Sequence, residues 1–213
     1  ESHGMGYGEH TLAKDPQFEL AHLERIRRAV QRDFNHPSVI MWSLGNEAGD
    51  GPNFTKAYAM VKEMDESRPV HYERTFDYKD GKNSPNTDVA CPMYFDYDDC
   101  ERYAMSEPEK PLIQCEYAHA MGNSLGGFKE YWDLIRKYPH YQGGFIWDFV
   151  DQAQKWPCDP SCGSDHVFIY GGDMNDYDPS DNSFCCNGVI AADRSLHPHA
   201  YEVAYQYRSI LTS

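Results

Sequence analysis

Five short apolar runs, separated by longer segments with helical spacing, constrain this chain more than any other feature. The runs are "VIMWSL", "PVHYE", "VACPMY", "PLIQCEY" and "GGFIWDFV". None alternates cleanly with polar residues, so none reads as a strand with one wet face; such runs fit parallel strands covered on both sides. The segments between them have the period of amphipathic helices. In "DPQFELAHLERIRRAVQRDF" Asp15 is placed to cap, Pro16 stands at the first helical position, and Leu23, Ile26 and Val30 share a face. Phe54, Ala57, Tyr58 and Val61 repeat that spacing up to Arg68-Pro69, and Phe128, Tyr131, Trp132 and Ile135 repeat it up to Pro139. Repeated βαβ units imply an α/β fold with its strand C-termini on one edge, where such folds place their sites.

That edge would carry an unusual set of residues. Glu47 follows "VIMWSLGN", Glu116 follows "PLIQC", Tyr94 follows "VACPM", and Trp147 with Asp148 follows "GGFI". Most of the 34 acidic residues must be solvated surface groups, but Glu47 and Glu116 stand after apolar runs, where a solvated face is not expected. Two carboxylates near aromatic side chains suit glycoside cleavage: one protonates the departing oxygen, the other attacks the anomeric carbon or activates water. Structural roles for the same residues are the ordinary alternative at this point.

Charge excludes other classes. A formal net charge of -15 lacks the clustered Lys and Arg that phosphate binding needs, so no nucleic-acid partner is expected. No apolar run is long enough to span a bilayer, so no membrane partner is expected either. The opening "ESHGMGYGEH" has neither a basic start nor an apolar signal core. A cytoplasmic location is expected, with the periplasm as the alternative if the true N-terminus lies elsewhere. The seven cysteines are an odd number and read as reduced thiols rather than a disulfide framework. Cys158, Cys162 and His166 leave open a loop disulfide or, with a fourth ligand missing, a zinc site. The sequon at Asn53, Phe54 and Thr55 reads as coincidence.

Two long stretches, "RDFNHPSVIMWSLGNEAGDG" and "PLIQCEYAHAMGNSLGGFKEYWDLIRKYPHYQGGFIWDFVDQ", resemble the two active-site signatures of the family-2 glycoside hydrolases, in particular large bacterial β-galactosidases. The resemblance runs from "ESHGM" to "ADRSLHPHAYEVA". It implies a (β/α)8 TIM barrel, of which residues 1–200 supply roughly the second half with about five strands, and residues 201–213 begin a linker or further domain. It implies retaining hydrolysis of terminal β-D-galactosides, with Glu47 as general acid/base and Glu116 as nucleophile. Asn46 corresponds to the residue that bonds the sugar 2-hydroxyl, Tyr94 to the tyrosine holding the nucleophile, His119 to a transition-state contact and Trp147 to the platform beneath the sugar. Glu1, His3 and Glu47 correspond to magnesium ligands, and Asn187 with the carbonyl of Phe184 to part of a sodium site. The negative charge of Glu116 would favour the protonated form of Glu47. Gly49 and Gly51 would turn the backbone away and leave room for a sugar.

The same resemblance implies further polypeptide upstream and downstream, and a homo-oligomer for the complete protein. Ser2, Ala48 and Asp50 depart from the family pattern. Glucuronidases of the family carry an Asn-x-Lys element, and no Asn here is followed two residues later by Lys. A sugar- or metal-binding segment without turnover is the competing class; only the hydrolase would form a covalent glycosyl-enzyme.

Overall fold

The helices form where capping residues and apolar spacing coincide. In the computed structural model, which describes residues 8–77 and 81–210, Asp15 accepts a hydrogen bond from the Gln17 amide and opens a 3-10 turn at Pro16–Phe18. Helix α1 follows as Glu19–Asp33, with Val30 buried. Strand β1 is only Trp42–Ser43. The first part of "VIMWSL" is not strand, because residues 36–39 are held in turns (His36 N to Asp33 O, Val39 N to His36 O) that leave Ile40 66% exposed. Helix α2, Pro52–Met64, buries Phe54, Ala57 and Val61 as their spacing requires. It stops before Arg68-Pro69, because Asp65 is extended and Ser67 and Arg68 are turned back onto its carboxylate.

Strand β2, Val70–His71, pairs in parallel with β1, Trp42 opposite Val70 and Ser43 opposite His71. A short antiparallel ribbon follows, β3 (Phe76–Asp77) with β4 (Lys82–Asn83). Helix α3, Tyr97–Met105, is capped by Asp96 and buries Cys100 and Ala104. Then come β5 (Leu112–His119), α4 (Phe128–Lys137) and β6 (Tyr141–Trp147), with β5 and β6 forming a two-stranded sheet. A second ribbon, β7 (Gln154–Pro157) with β8 (His166–Ile169), is antiparallel and largely exposed. Helix α5, Pro198–Tyr207, ends the described fold.

The chain divides into two compact units, one holding the residues to Cys115 with Tyr138–Gly143, the other Glu116–Lys137 with the residues from Gly144 onward. In the first, the barrel strands follow one another through backbone hydrogen bonds: Leu44 N to His71 O, Asp88 N to Val70 O, Ala90 N to Pro111 O, and Leu112 N to His140 O. Each strand lies beside the next in chain order, as right-handed βαβ crossovers dictate. The core of this unit gathers Val30, Trp42, Leu44, Phe54, Val61, Val70 and Tyr72.

In the second unit, Ala120 N donates to Trp147 O, and residues 148–151 run parallel to residues 187–190. That adds a sixth parallel run to the five read from the sequence. The core here gathers Tyr117, Phe128, Val189, Ala200 and Val203, so α5 packs within this unit.

Two local expectations resolve. Asn53 is 2% exposed and its amide donates to the carbonyls of Leu12 and Asp15, so the sequon is used internally. Cys158 and Cys162 form a loop disulfide, while Cys91, Cys100, Cys115, Cys185 and Cys186 are free thiols.

Candidate active site

In the first unit the chain leaves β1 through Gly45 and Asn46 and reaches Glu47 in the left-handed region, at φ 49°. A side chain there is strained, because its Cβ crowds the backbone, and such outliers persist only where surroundings over-determine them. The surroundings are visible. The Glu47 amide donates to Glu73 Oε1 at 2.5 Å, and Glu73, its side chain 3% exposed, also accepts from Arg74 Nε at 3.1 Å. Arg74 Nη2 stands 3.9 Å from Glu47 Oε1, and the Glu47 side chain is 20% exposed. The next amide, of Ala48, donates to the Tyr72 hydroxyl at 3.1 Å, and that hydroxyl donates to Gly49 O at 2.6 Å. Burial, reinforced by the charge of Glu73, pushes the Tyr72 hydroxyl well above its ordinary pKa and keeps it a donor.

The glycines after Glu47 make room for protein rather than for a sugar, contrary to the sequence expectation. A methyl on Gly49, whose φ is +74°, would lie 2.3 Å from Thr11 Oγ1, and one on Gly51 would lie 2.7 Å from Ala13 O. Residues 11–13 press into that space, and Thr11 Oγ1 donates to Ala48 O at 2.8 Å.

Tyr94 follows the strand segment at residue 90 and is also left-handed, at φ 50°. Its turn is anchored by the fully buried Gln114, which accepts from Phe95 N at 2.7 Å and donates to Tyr141 Oη at 2.9 Å. The thiol of Cys115 donates to Cys91 O at 3.4 Å. Burial raises the Cys91 thiol to about 12, so it stays neutral.

The second unit holds five of the sequence-predicted residues, Glu116, His119, Trp147, Phe184 and Asn187. Glu116 is half-buried on β5, which ends at His119. The His119 ring lies 5.6 Å from that of Phe184. Trp147 ends β6, its carbonyl accepting from Ala120, and the Trp147–Asp148 peptide is cis. Asp148 N then donates to Asn187 O at 2.8 Å. Asn187 is 1% exposed; its amide nitrogen donates to Phe184 O at 2.9 Å, while its Oδ1 is buried without a hydrogen-bond partner. A buried amide oxygen left unpaired is costly unless something electropositive meets it. Asn187 Oδ1 and the Phe184 carbonyl are hard oxygen donors, the ligand type that the monovalent cation expected there takes.

The expected magnesium ligands Glu1 and His3 lie outside the described residues. Glu47 alone of that set is described, and among the described residues no cluster of three or more His, Cys, Asp or Glu has metal-binding geometry. No described helix is long and apolar enough to cross a membrane.

Several supporting residues escaped the sequence analysis. Asp151 accepts from Gly188 N through Oδ1 at 2.7 Å and from His197 Nε2 through Oδ2 at 2.7 Å, and His199 Nε2 donates to Gly188 O at 3.0 Å. They fix the peptide beside Asn187 and border a cavity of about 320 Å³ with Ala120, Asn123 and Cys186. Glu73 carried a legible signal: like Glu116 it is an acid closing an apolar run, "PVHYE".

Comparison with known proteins fits this geometry. The chain is 46% identical over 95% of its length to a Beta-galactosidase of Aeromonas hydrophila, and 44% identical over 99% to one of Photobacterium profundum. It spans about one fifth of the length of these relatives, 20% and 21%. Among solved structures, a beta-D-glucuronidase of Dictyoglomus thermophilum superposes with a TM-score of 0.63 at 21% identity, covering 92% of this chain and 36% of that one. A glycosyl hydrolase family 2 member from Bacteroides cellulosilyticus gives 0.62 at 19%, covering 91% and 23%. At such identities these two report the fold alone. The family model described as "Glycosyl hydrolases family 2, TIM barrel domain" matches residues 2–212, and the chain belongs to that family.

Proposed function

We propose that this chain supplies catalytic residues to a retaining glycoside hydrolase acting on terminal β-D-galactosides. The observation that carries the proposal is the way Glu47 is held: a partly buried carboxylate on a left-handed backbone at the end of a parallel strand, fixed by Glu73 and Tyr72. The left-handed backbone alone is not the signal, since the exposed Glu107 shares it at φ 51°; the restraint by Glu73 and Tyr72 is what sets Glu47 apart. Identity of 44–46% to proteins named Beta-galactosidase favours galactose. The missing Asn-x-Lys element points the same way.

In the first step Glu116 attacks the anomeric carbon while Glu47 donates a proton to the departing glycosidic oxygen. A galactosyl ester forms on Glu116 and the aglycone leaves. In the second step Glu47, now a carboxylate, takes a proton from water as the water attacks that carbon and releases Glu116, so configuration is retained. Retaining enzymes hold the two carboxyl groups roughly 5 to 5.5 Å apart for direct attack. Asn46 binds the 2-hydroxyl, Tyr94 steadies Glu116, His119 meets the sugar in the transition state, and Trp147 lies beneath the ring. Magnesium would be held by Glu47 with Glu1 and His3, and sodium by Asn187 Oδ1 and the Phe184 carbonyl; both supply fixed positive charge to orient oxygen atoms.

The test is labelling with a 2-deoxy-2-fluoro-galactosyl inactivator in the presence of magnesium, followed by intact-mass and peptide mapping, with a complete homologous enzyme as control. The expected result is a fluorogalactosyl adduct on Glu116, lost in Glu116→Gln, together with a fall in turnover of several orders of magnitude. An adduct on another carboxylate, or near-full activity in Glu116→Gln, would overturn the assignment. Binding of galactosides without any adduct would support the sugar-binding class instead.

A further inference from the structure

We propose that Glu73 and Arg74 are positioning residues for proton donation by Glu47, an inference that rests on the assignment of Glu47 as general acid. Three independent features converge on the pair. Glu47 is strained, with φ 49°, and the next residue, Ala48, is tied to other parts of the chain, its amide to Tyr72 and its carbonyl to Thr11. The Glu47 amide meets Glu73 Oε1 at 2.5 Å, a charge-assisted bond of the strong kind. Arg74 spans both carboxylates, its Nε 3.1 Å from Glu73 Oε1 and its Nη2 3.9 Å from Glu47 Oε1.

The arrangement is buried on the Glu73 side and open on the Glu47 side, at 3% and 20% side-chain exposure. A buried carboxylate is costly without partners, and Glu73 spends two contacts on this one turn. One contact fixes the backbone of Glu47, and through Arg74 the other reaches its side chain. The pair therefore sets both where the Glu47 carboxyl starts and where it points. Proton donation to a leaving oxygen depends on that placement, since a misplacement of about 1 Å can cost about 100-fold. Glu73 and Arg74 touch no reacting atom in this scheme and act only through Glu47.

The consequence is specific to the leaving group. A substrate whose aglycone departs readily needs little protonation, whereas an alkyl galactoside needs Glu47 in place. The measurement is kcat/KM, which reports events up to the glycosyl-enzyme, for 2,4-dinitrophenyl and methyl β-galactosides in an enzyme containing this segment within a whole barrel. Glu73→Ala is expected to lose about 100-fold on the methyl galactoside and less than about 10-fold on the dinitrophenyl one, following the size of general acid contributions. Glu73→Gln, which keeps an oxygen for the Glu47 amide, is expected to restore most of that difference. Arg74→Met, at a side chain 28% exposed, provides a variant less prone to misfold, with a selective loss of about 10-fold on the methyl galactoside.

Equal losses on both substrates in Glu73→Ala and Arg74→Met would overturn the proposal, because a merely structural role lowers both alike. Glu47→Gln, measured alongside, separates the two layers. If it discriminates between leaving groups and the positioning variants do not, the inference fails and the acid assignment stands. If Glu47→Gln does not discriminate, the acid assignment itself fails, and the inference falls with it.

Discussion

The turn that carries Glu47, just after a strand, and the turn that carries Asn187, at the start of a parallel run, both hold a polar side chain in place, and they use different materials. Around Glu47 the backbone is strained and side chains from elsewhere restrain it: Glu73, Tyr72 and Thr11 each bond a different peptide group of residues 47–49. Around Asn187 the side chains of Asp151 and His199 bond the neighbouring peptide, and in addition the backbone is packed directly against backbone. A methyl on Gly188 would lie 2.2 Å from Asp151 N and 2.4 Å from Ile190 O. The first turn can therefore be adjusted one side chain at a time, while the second tolerates almost no added atom.

The sharpest test of this contrast is a pair of glycine substitutions. Gly188→Ala is expected to cost about 3 kcal/mol or more, since backbone atoms cannot move aside, and Gly49→Ala about 1–3 kcal/mol, since its main obstacle is the Thr11 side chain. Denaturant unfolding of both variants measures the difference, and a larger loss for Gly49→Ala would break the comparison. A smaller effect is expected for Tyr72→Phe, which keeps the stacking on Phe54 at 4.1 Å but removes the bonds to Ala48 N and Gly49 O. A loss of about 1–2 kcal/mol, confined to slow-exchanging amides of residues 47–49 in hydrogen exchange, would sharpen the case for side-chain restraint. Losses spread evenly over α2 would argue against it.

A third test concerns pH. His71 lies on β2 beside Tyr72, and burial lowers it to about 4, with Nδ1 buried and unpartnered. An unfolded histidine takes a proton near pH 6.5, so the folded form is at full strength above that pH. Stability then falls as pH drops from about 6.5 toward 4, where the folded form protonates as well. The slope of unfolding free energy against pH in this window should be shallower in His71→Leu than in the parent; identical slopes would remove His71 from the account.

Much of this architecture is legible in the residues alone. Asp15 with Pro16 announces α1, the spacing of Phe54, Ala57 and Val61 announces α2, and the apolar runs announce the parallel strands. Glu116 and Trp147 stand on strands and Glu47 shortly after one, as their positions after apolar runs suggest, while the run before Tyr94 forms only an isolated bridge at Ala90. What stayed hidden depends on contacts far apart in the chain. Helix α3 is masked by "DDCER", although Asp96 and the buried pair Cys100 and Ala104 are spaced for a cap and an inner face. The ribbon β7–β8 shows no apolar side because both strands are mostly exposed. Gly49 looks like an opening in the sequence, and only the approach of Thr11, 38 positions earlier, shows that the opening is filled.

The tethering of residues 47–49 bears on protein engineering. An acid/base motif is commonly treated as a cassette of a few consecutive letters, to be moved between scaffolds. Here the letters "GNEAG" hold their shape only against residues 11–13 on one side and residues 72–74 on the other. The smallest portable unit is therefore three separate stretches of chain, and a graft that copies one of them transfers the residue names without the conformation.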